Sequence, residues 1–114
     1  MPPEPLVIED VAGPKGERIL RLQGPLALNN LFDFQAKVRA DNSRTLIVDL
    51  SNVPYVDSAG IGALVGAYVT HQKDGRILFL VGVSQRIHNA LEIMRVEQFF
   101  RFFDTLADAE TAAA

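Results

Sequence analysis

The stretch with the most chemical content runs from Thr45 to Tyr68, TLIVDLSNVPYVDSAGIGALVGAY. An apolar run gives way to a short loop, and Asp57-Ser58 stands where a helical pattern begins. Ser58 at the N-cap or in the first turn places its hydroxyl beside backbone N–H groups that the helix cannot pair, at the positive end of the dipole. Such a position accepts an anion, so a phosphate on Ser58 is compatible with the helix. A plainer reading has Ser58 simply capping the helix and Asp57 solvating the loop, since both are ordinary capping types.

Gly60, Gly62 and Gly66 are a second anomaly, because each glycine in a helix costs about 1 kcal/mol relative to alanine. With Ala59, Ala63 and Ala67 they predict a flat face of small residues. Close packing on a sheet is one explanation, and a surface on which another protein's backbone lies closely is the other. Gly62 and Gly66 make a GxxxG, but without a membrane span that pattern lacks its usual meaning.

Catalytic chemistry finds little support. A nucleophilic serine needs a base, and His71 lies about 20 Å along the same helix by its rise per residue. No G-x-S-x-G elbow and no glycine-rich phosphate loop occurs. His71 and His88 have no partner at metal-ligand spacing and are expected on the surface, so no metal is expected. With no cysteine in the chain, a thiolate site, a disulfide and a cysteine nucleophile are all excluded. Phe99, Phe100, Phe102 and Phe103 read as core packing rather than as a base-stacking platform.

The elements that would position Ser58 follow from periodicity. Leu6 to Val11 and Arg18 to Gln23 read as a hairpin about the turn Gly13-Pro14-Lys15-Gly16, with Leu20 and Leu22 on one face and Ile19 on the other. From Leu28 the pattern becomes helical through Leu31, Phe34 and Val38, ending at Asp41-Asn42-Ser43. Thr45 to Leu50 reads as a strand covered on both faces. A helix from Ser58 to about Lys73 carries Ile61, Leu64, Val65 and Tyr68 as its apolar stripe, and Asp74-Gly75 stops it. Ile77 to Val81 is a buried strand, and Ser84 caps a helix with Ile87, Leu91 and Met94 on its apolar side. Phe99 to Phe103 reads as a strand, and Thr105 with Asp108 opens a last helix. The order β-β-α-β-α-β-α-β-α predicts an α/β domain with about four helices on a small mixed sheet, mostly parallel with one antiparallel hairpin strand at the N-terminus.

Length and charge narrow the classes further. At 114 residues the chain fits one domain, 1–114, with 1–5 and 112–114 expected to fray. A net charge of −3 argues against a direct nucleic-acid partner. The uncharged stretch Ser58 to Gln72 is shorter than the roughly 20 residues a membrane helix needs, so membrane insertion is not expected. The start MPPEPLVIED does not look like a targeting signal, and a cytoplasmic location is the expectation.

The segment Leu46 to Ala67 resembles the signature of the STAS domain, in particular that of the bacterial anti-sigma factor antagonists, or anti-anti-sigma factors. The likeness rests on Asp49-Leu50-Ser51 closing an apolar strand, then Asp57-Ser58-Ala59-Gly60-Ile61-Gly62-Ala63-Leu64. It extends to the hairpin, to Leu22-Gln23-Gly24, to Leu78–Val83 and to Ile87–Phe103. The resemblance implies the STAS fold and a partner-switching phosphoprotein in transcription regulation, not an enzyme and without a cofactor. Ser58 would be phosphorylated by an anti-sigma factor that is also a serine kinase, and a PP2C-type phosphatase would reset it. The unphosphorylated form would bind that kinase and free a sigma factor. Asp57, Ser58, Ala59, Gly60, Gly62, Ala63 and Asn29 would form the partner-binding surface. Many members carry an aspartate where Ala27 stands here, leaving Asn29 and Asn30 as the nearby polar groups. The same fold also serves non-switching stressosome-like scaffolds and an accessory subunit of a lipid transporter.

Overall fold

A computed structural model describes residues 5–113. The expected fraying of 1–4 and of 114 lies outside the described residues. Val7–Ala12 (β1) and Arg18–Gln23 (β2) form the antiparallel hairpin, with Ile8 opposite Leu22. Gly16 closes its turn at φ 86°, in the left-handed region where only glycine is unstrained. Phe32–Ala40 (α1), Thr45–Asn52 (β3), Ser58–Lys73 (α2), Ile77–Val81 (β4), Gln85–Ile93 (α3), Arg101–Phe103 (β5) and Leu106–Ala112 (α4) follow. The five strands lie in sequence order, β1 antiparallel to β2 and all later neighbours parallel. The fold class expected from the sequence is therefore the one observed.

Strand alternation divides the core in two. Leu20 and Leu22 enter the large cluster with Phe34, Leu64, Ile87 and Leu91, so α1, α2 and α3 cover that face. Ile19 points the other way, to Ile47, Phe79 and Ala109, which places α4 on the opposite face. Every residue from Thr45 to Leu50 is buried, as a strand sandwiched between helices on both faces must be.

Several boundaries differ from the sequence reading, each for a visible reason. The first helix starts at Phe32 rather than near Leu28, because Asn30 Oδ1 accepts from Ala27 N at 2.8 Å and holds a separate turn. The last strand starts at Arg101 rather than Phe99, because Phe99 ends a 3₁₀ turn over Glu97–Phe99 and Phe100 caps it, after Arg95 adopts a φ of 61°. Met94 caps the C-terminus of α3 and is exposed, whereas Ile87 and Leu91 are buried. Ala112 is helical, and the following Ala113 N donates to Ala109 O at 3.0 Å.

The largest correction concerns His71, expected on the surface but only 1% exposed. The apolar stripe of α2 is turned from Val65 and Tyr68, both half-buried, toward Ile61, Leu64, Ala67 and His71. Nδ1 of His71 donates to the Ala67 carbonyl at 2.8 Å, and Nε2 faces Asp41 Oδ2 at 3.4 Å. Asp41 is buried too, and Arg76 Nη1 donates to its carbonyl at 2.8 Å while Ser43 Oγ donates to its carboxylate at 3.0 Å. A buried histidine survives there because its polar atoms and those of Asp41 are answered. His88 is half-exposed and pairs with Glu92 at 2.7 Å, one turn along α3.

Candidate functional site

Two loops run side by side beyond the strands they extend. Gly24 N donates to Asn52 O at 3.1 Å, Leu26 N to Tyr55 O at 3.3 Å, and Asp57 N to Leu26 O at 3.3 Å. Leu26 and Val56 form a parallel bridge, so the β2–β3 ladder resumes between the loops. The loop from β2 to α1 is thereby fastened to the start of α2.

Asp57 makes the joint. It is the N-cap of α2, with extended backbone, and its Oδ1 accepts from Gly60 N at 2.8 Å. Its Oδ2 accepts from Leu28 N at 3.1 Å, in the neighbouring loop. One carboxylate thus answers an orphan amide of the helix and an amide of the other loop, at the end of the dipole where negative charge is stabilised. The reading of Asp57 as loop solvation is overturned by these two bonds.

Ser58 is the first helical residue of α2, not its cap, and it is exposed. The cap being Asp57, the hydroxyl of Ser58 is released from structural duty. It stands beside the first-turn amides, which no carbonyl inside the helix can reach. The arrangement presents an accessible primary alcohol on a rigid helix start, with open solvent for an incoming phosphoryl group.

The glycines separate into two kinds. Gly60 is buried, and a Cβ there would run into the Leu26 carbonyl oxygen and come within 2.7 Å of Val56 Cγ1. Its absence of a side chain lets α2 start against the neighbouring loop. Gly62 and Gly66 are exposed, and a Cβ on either meets nothing within 4 Å. They lie one and two turns beyond Ser58, on the floor of an open groove of about 230 Å³ between α1 and α2, walled by Gln35 and Arg39.

Of the residues expected on the partner surface, Asn29, Ser58 and Gly62 are exposed and Asp57 and Ala59 half-buried. Gly60 and Ala63 are buried and serve packing instead. Ala27 is also buried, so that position projects no group, and Asn30 is spent on the Ala27 amide. Leu28 belongs to the site as well; its link to Asp57 is a contact across 29 residues that no local pattern reveals. The capping role of Asp57 was visible in principle, since aspartate is among the strongest N-cap types. Among the described residues, no group of three or more His, Asp or Glu could hold a metal ion.

Comparison with known proteins gives the family to which this fold belongs. The profile of the STAS domain matches residues 8–109, nearly the whole chain, and the protein belongs to the STAS domain family. An anti-sigma-B factor antagonist of Staphylococcus aureus is 39% identical over 56 residues, 49% of this chain and 52% of that protein. The match thus spans about half the length of that curated relative. A crystal structure of an anti-sigma factor antagonist from Mycobacterium paratuberculosis superposes with a TM-score of 0.83 at 20% identity, covering 94% of this chain and 92% of the other. A sulfate transporter family protein from Wolinella succinogenes gives 0.74 at 27% identity, covering 90% and 88%.

Proposed function

We propose that this protein is an anti-sigma factor antagonist whose binding is switched by phosphorylation of Ser58. In this reading it is a cytoplasmic, non-catalytic binding module of a bacterial cell. The observation that carries it is the division of labour at the start of α2, where Asp57 caps the helix and leaves the Ser58 hydroxyl exposed. A serine needed for the cap would resist modification; this one does not hold the fold. The name of the Staphylococcus relative supports the partner class, an anti-sigma factor. The resemblance of the Asp57–Leu64 motif supports the finer reading, in which that factor is a serine kinase and a PP2C-type phosphatase reverses its action.

The switch works through desolvation. Phosphorylation adds about −1.5 to −2 charges, which water and the helix N-terminus tolerate. Against a partner surface shaped for a small hydroxyl, the same charge must lose its water. Burying poorly paired charge at an interface costs about 2–5 kcal/mol, which is roughly 30-fold to several thousand-fold in affinity.

The test uses each anti-sigma factor with a serine-kinase-type ATPase domain encoded in the same genome, purified and incubated with the protein and ATP. The expected product carries one phosphate, on Ser58, with Ser43, Ser51 and Ser84 unmodified. Calorimetric titration then compares the two forms. Phosphate on another serine, or equal affinities, would refute the switch. The likeness to the sulfate transporter family protein favours a second reading, a domain attached to a transport system. That reading gains if none of these kinases modifies the chain.

A further inference from the structure

We propose that Leu28 and Phe32 are the apolar anchors by which the anti-sigma factor grips this protein beside Ser58. The inference rests on the reading of Ser58 as a partner-facing serine and adds to it where the binding energy resides. Leu28 is 65% exposed and Phe32 66%, which places both among the most exposed large apolar side chains described. They are four residues apart in the chain, Leu28 on the turn that leads into α1 and Phe32 on the first residue of that helix. Leu28 is tied to the site itself, its amide donating to the Asp57 carboxylate at 3.1 Å. Phe32 lies one turn ahead of Gln35, a wall of the groove that opens over Gly62 and Gly66.

The size of an interface decides who covers this pair. A specific complex takes up roughly 800 Å² of each partner, a disc of about 16 Å radius. Centred on Ser58, such a disc takes in Leu28. The residues around the hydroxyl, Asp57, Ala59 and Gly62, are small or already bonded and offer no side chain that could fill a pocket. Binding energy concentrates in a few large, fully desolvated side chains. Tyr55 is exposed as well, but its ring already lies under the Arg86 guanidinium at 5.5 Å, and Val69 lies about three turns along α2 from Ser58. Leu28 and Phe32 remain, and the matching surface is an apolar socket on the anti-sigma factor adjacent to the site that reads Ser58.

The experiment titrates wild-type protein, Leu28→Gln, Phe32→Gln and Ile93→Gln into each of the purified anti-sigma factors by calorimetry. Both test residues are solvent-facing, so melting temperatures should be unchanged. Ile93, 80% exposed at the last residue of α3, is the control for loss of an exposed apolar side chain as such. The expected result is a loss of tenfold or more for Leu28→Gln and for Phe32→Gln, with Ile93→Gln within twofold. Binding of wild type with a loss below tenfold in either test variant overturns the inference and leaves the proposed function standing. Binding of no anti-sigma factor by wild type removes both. Sedimentation showing a wild-type dimer that these two substitutions dissociate would assign the patch to a second copy of the chain and overturn the inference.

Discussion

Replacing glycine by alanine along α2 should change stability in opposite directions at positions only two residues apart. At Gly62 and Gly66 an added methyl meets nothing within 4 Å, so only helix propensity changes, a gain of about 1 kcal/mol each. At Gly60 the methyl collides with the Leu26 carbonyl oxygen, a backbone atom held by its bond from Asp57 N, and approaches Val56 Cγ1. Overpacking of this kind costs about 1–3 kcal/mol, and the backbone on both sides gives it little room to relax. The propensity gain offsets part of that, leaving a net loss of up to about 2 kcal/mol. For a domain of this size 1 kcal/mol moves the melting temperature by roughly 4 °C. Gly62→Ala and Gly66→Ala should therefore melt about 4 °C above wild type and Gly60→Ala below it, by thermal and urea denaturation. A destabilised Gly62→Ala would refute the reasoning, since it would show that the fold itself requires glycine there. If the two stabilised variants also lose affinity for the anti-sigma factor, the glycines are retained for the partner's close approach.

Other substitutions test the joint and the buried network. Asp57→Ala should lose about 1–3 kcal/mol, combining the cap with the bond to Leu28, while Asp57→Asn should keep most of it; urea melts distinguish them. Ser58→Ala should melt within about 2 °C of wild type while accepting no phosphate, because the cap is elsewhere. Asp41→Ala should cost about 3–5 kcal/mol, leaving His71 and Arg76 without their carboxylate in a buried setting; a loss under 1 kcal/mol in chemical denaturation would show that water replaces it.

The order of elements was legible because strand and helix periods differ and each segment here keeps to one of them. Thr45 to Leu50 reads as a strand enclosed on both faces because it is short, apolar and partly β-branched, and Ser58 reads as N-cap or first turn because the helical stripe begins at Ile61. What the sequence concealed lies in pairs far apart along the chain. His71 looks like a surface histidine until Asp41, thirty residues earlier, is brought against it. Asp57 and Leu28 meet only because the β2–β3 ladder resumes at Leu26 and Val56. Three glycines in one helix suggested one flat face, yet only the three-dimensional packing separates Gly60, which the fold needs, from Gly62 and Gly66, which it does not.

The placement of the cap one residue before the modifiable serine also sets how phosphorylation acts on the fold. A phosphate on Ser58 adds its charge next to the Asp57 carboxylate, and like charges repel. Two unit charges about 4 Å apart in bulk water repel by about 1 kcal/mol, so a well-hydrated phosphate dianion adds about 2 kcal/mol. The helix N-terminus returns roughly 0.3–1 kcal/mol of that. The bonds from Gly60 N and Leu28 N to Asp57 need not be exchanged for bonds to the phosphate, because the serine never held them. The phosphorylated protein should therefore stay folded and melt roughly 4–7 °C below the unmodified one. The deficit should shrink in 0.5 M salt, which screens the phosphate on the exposed Ser58. A drop beyond 10 °C, or the loss of the Gly60 amide's protection from hydrogen exchange, would show that the phosphate displaces Asp57 and works by opening the helix start. A folded phosphoprotein that no longer binds places the switch in the cost of stripping water from Ser58 at the partner surface.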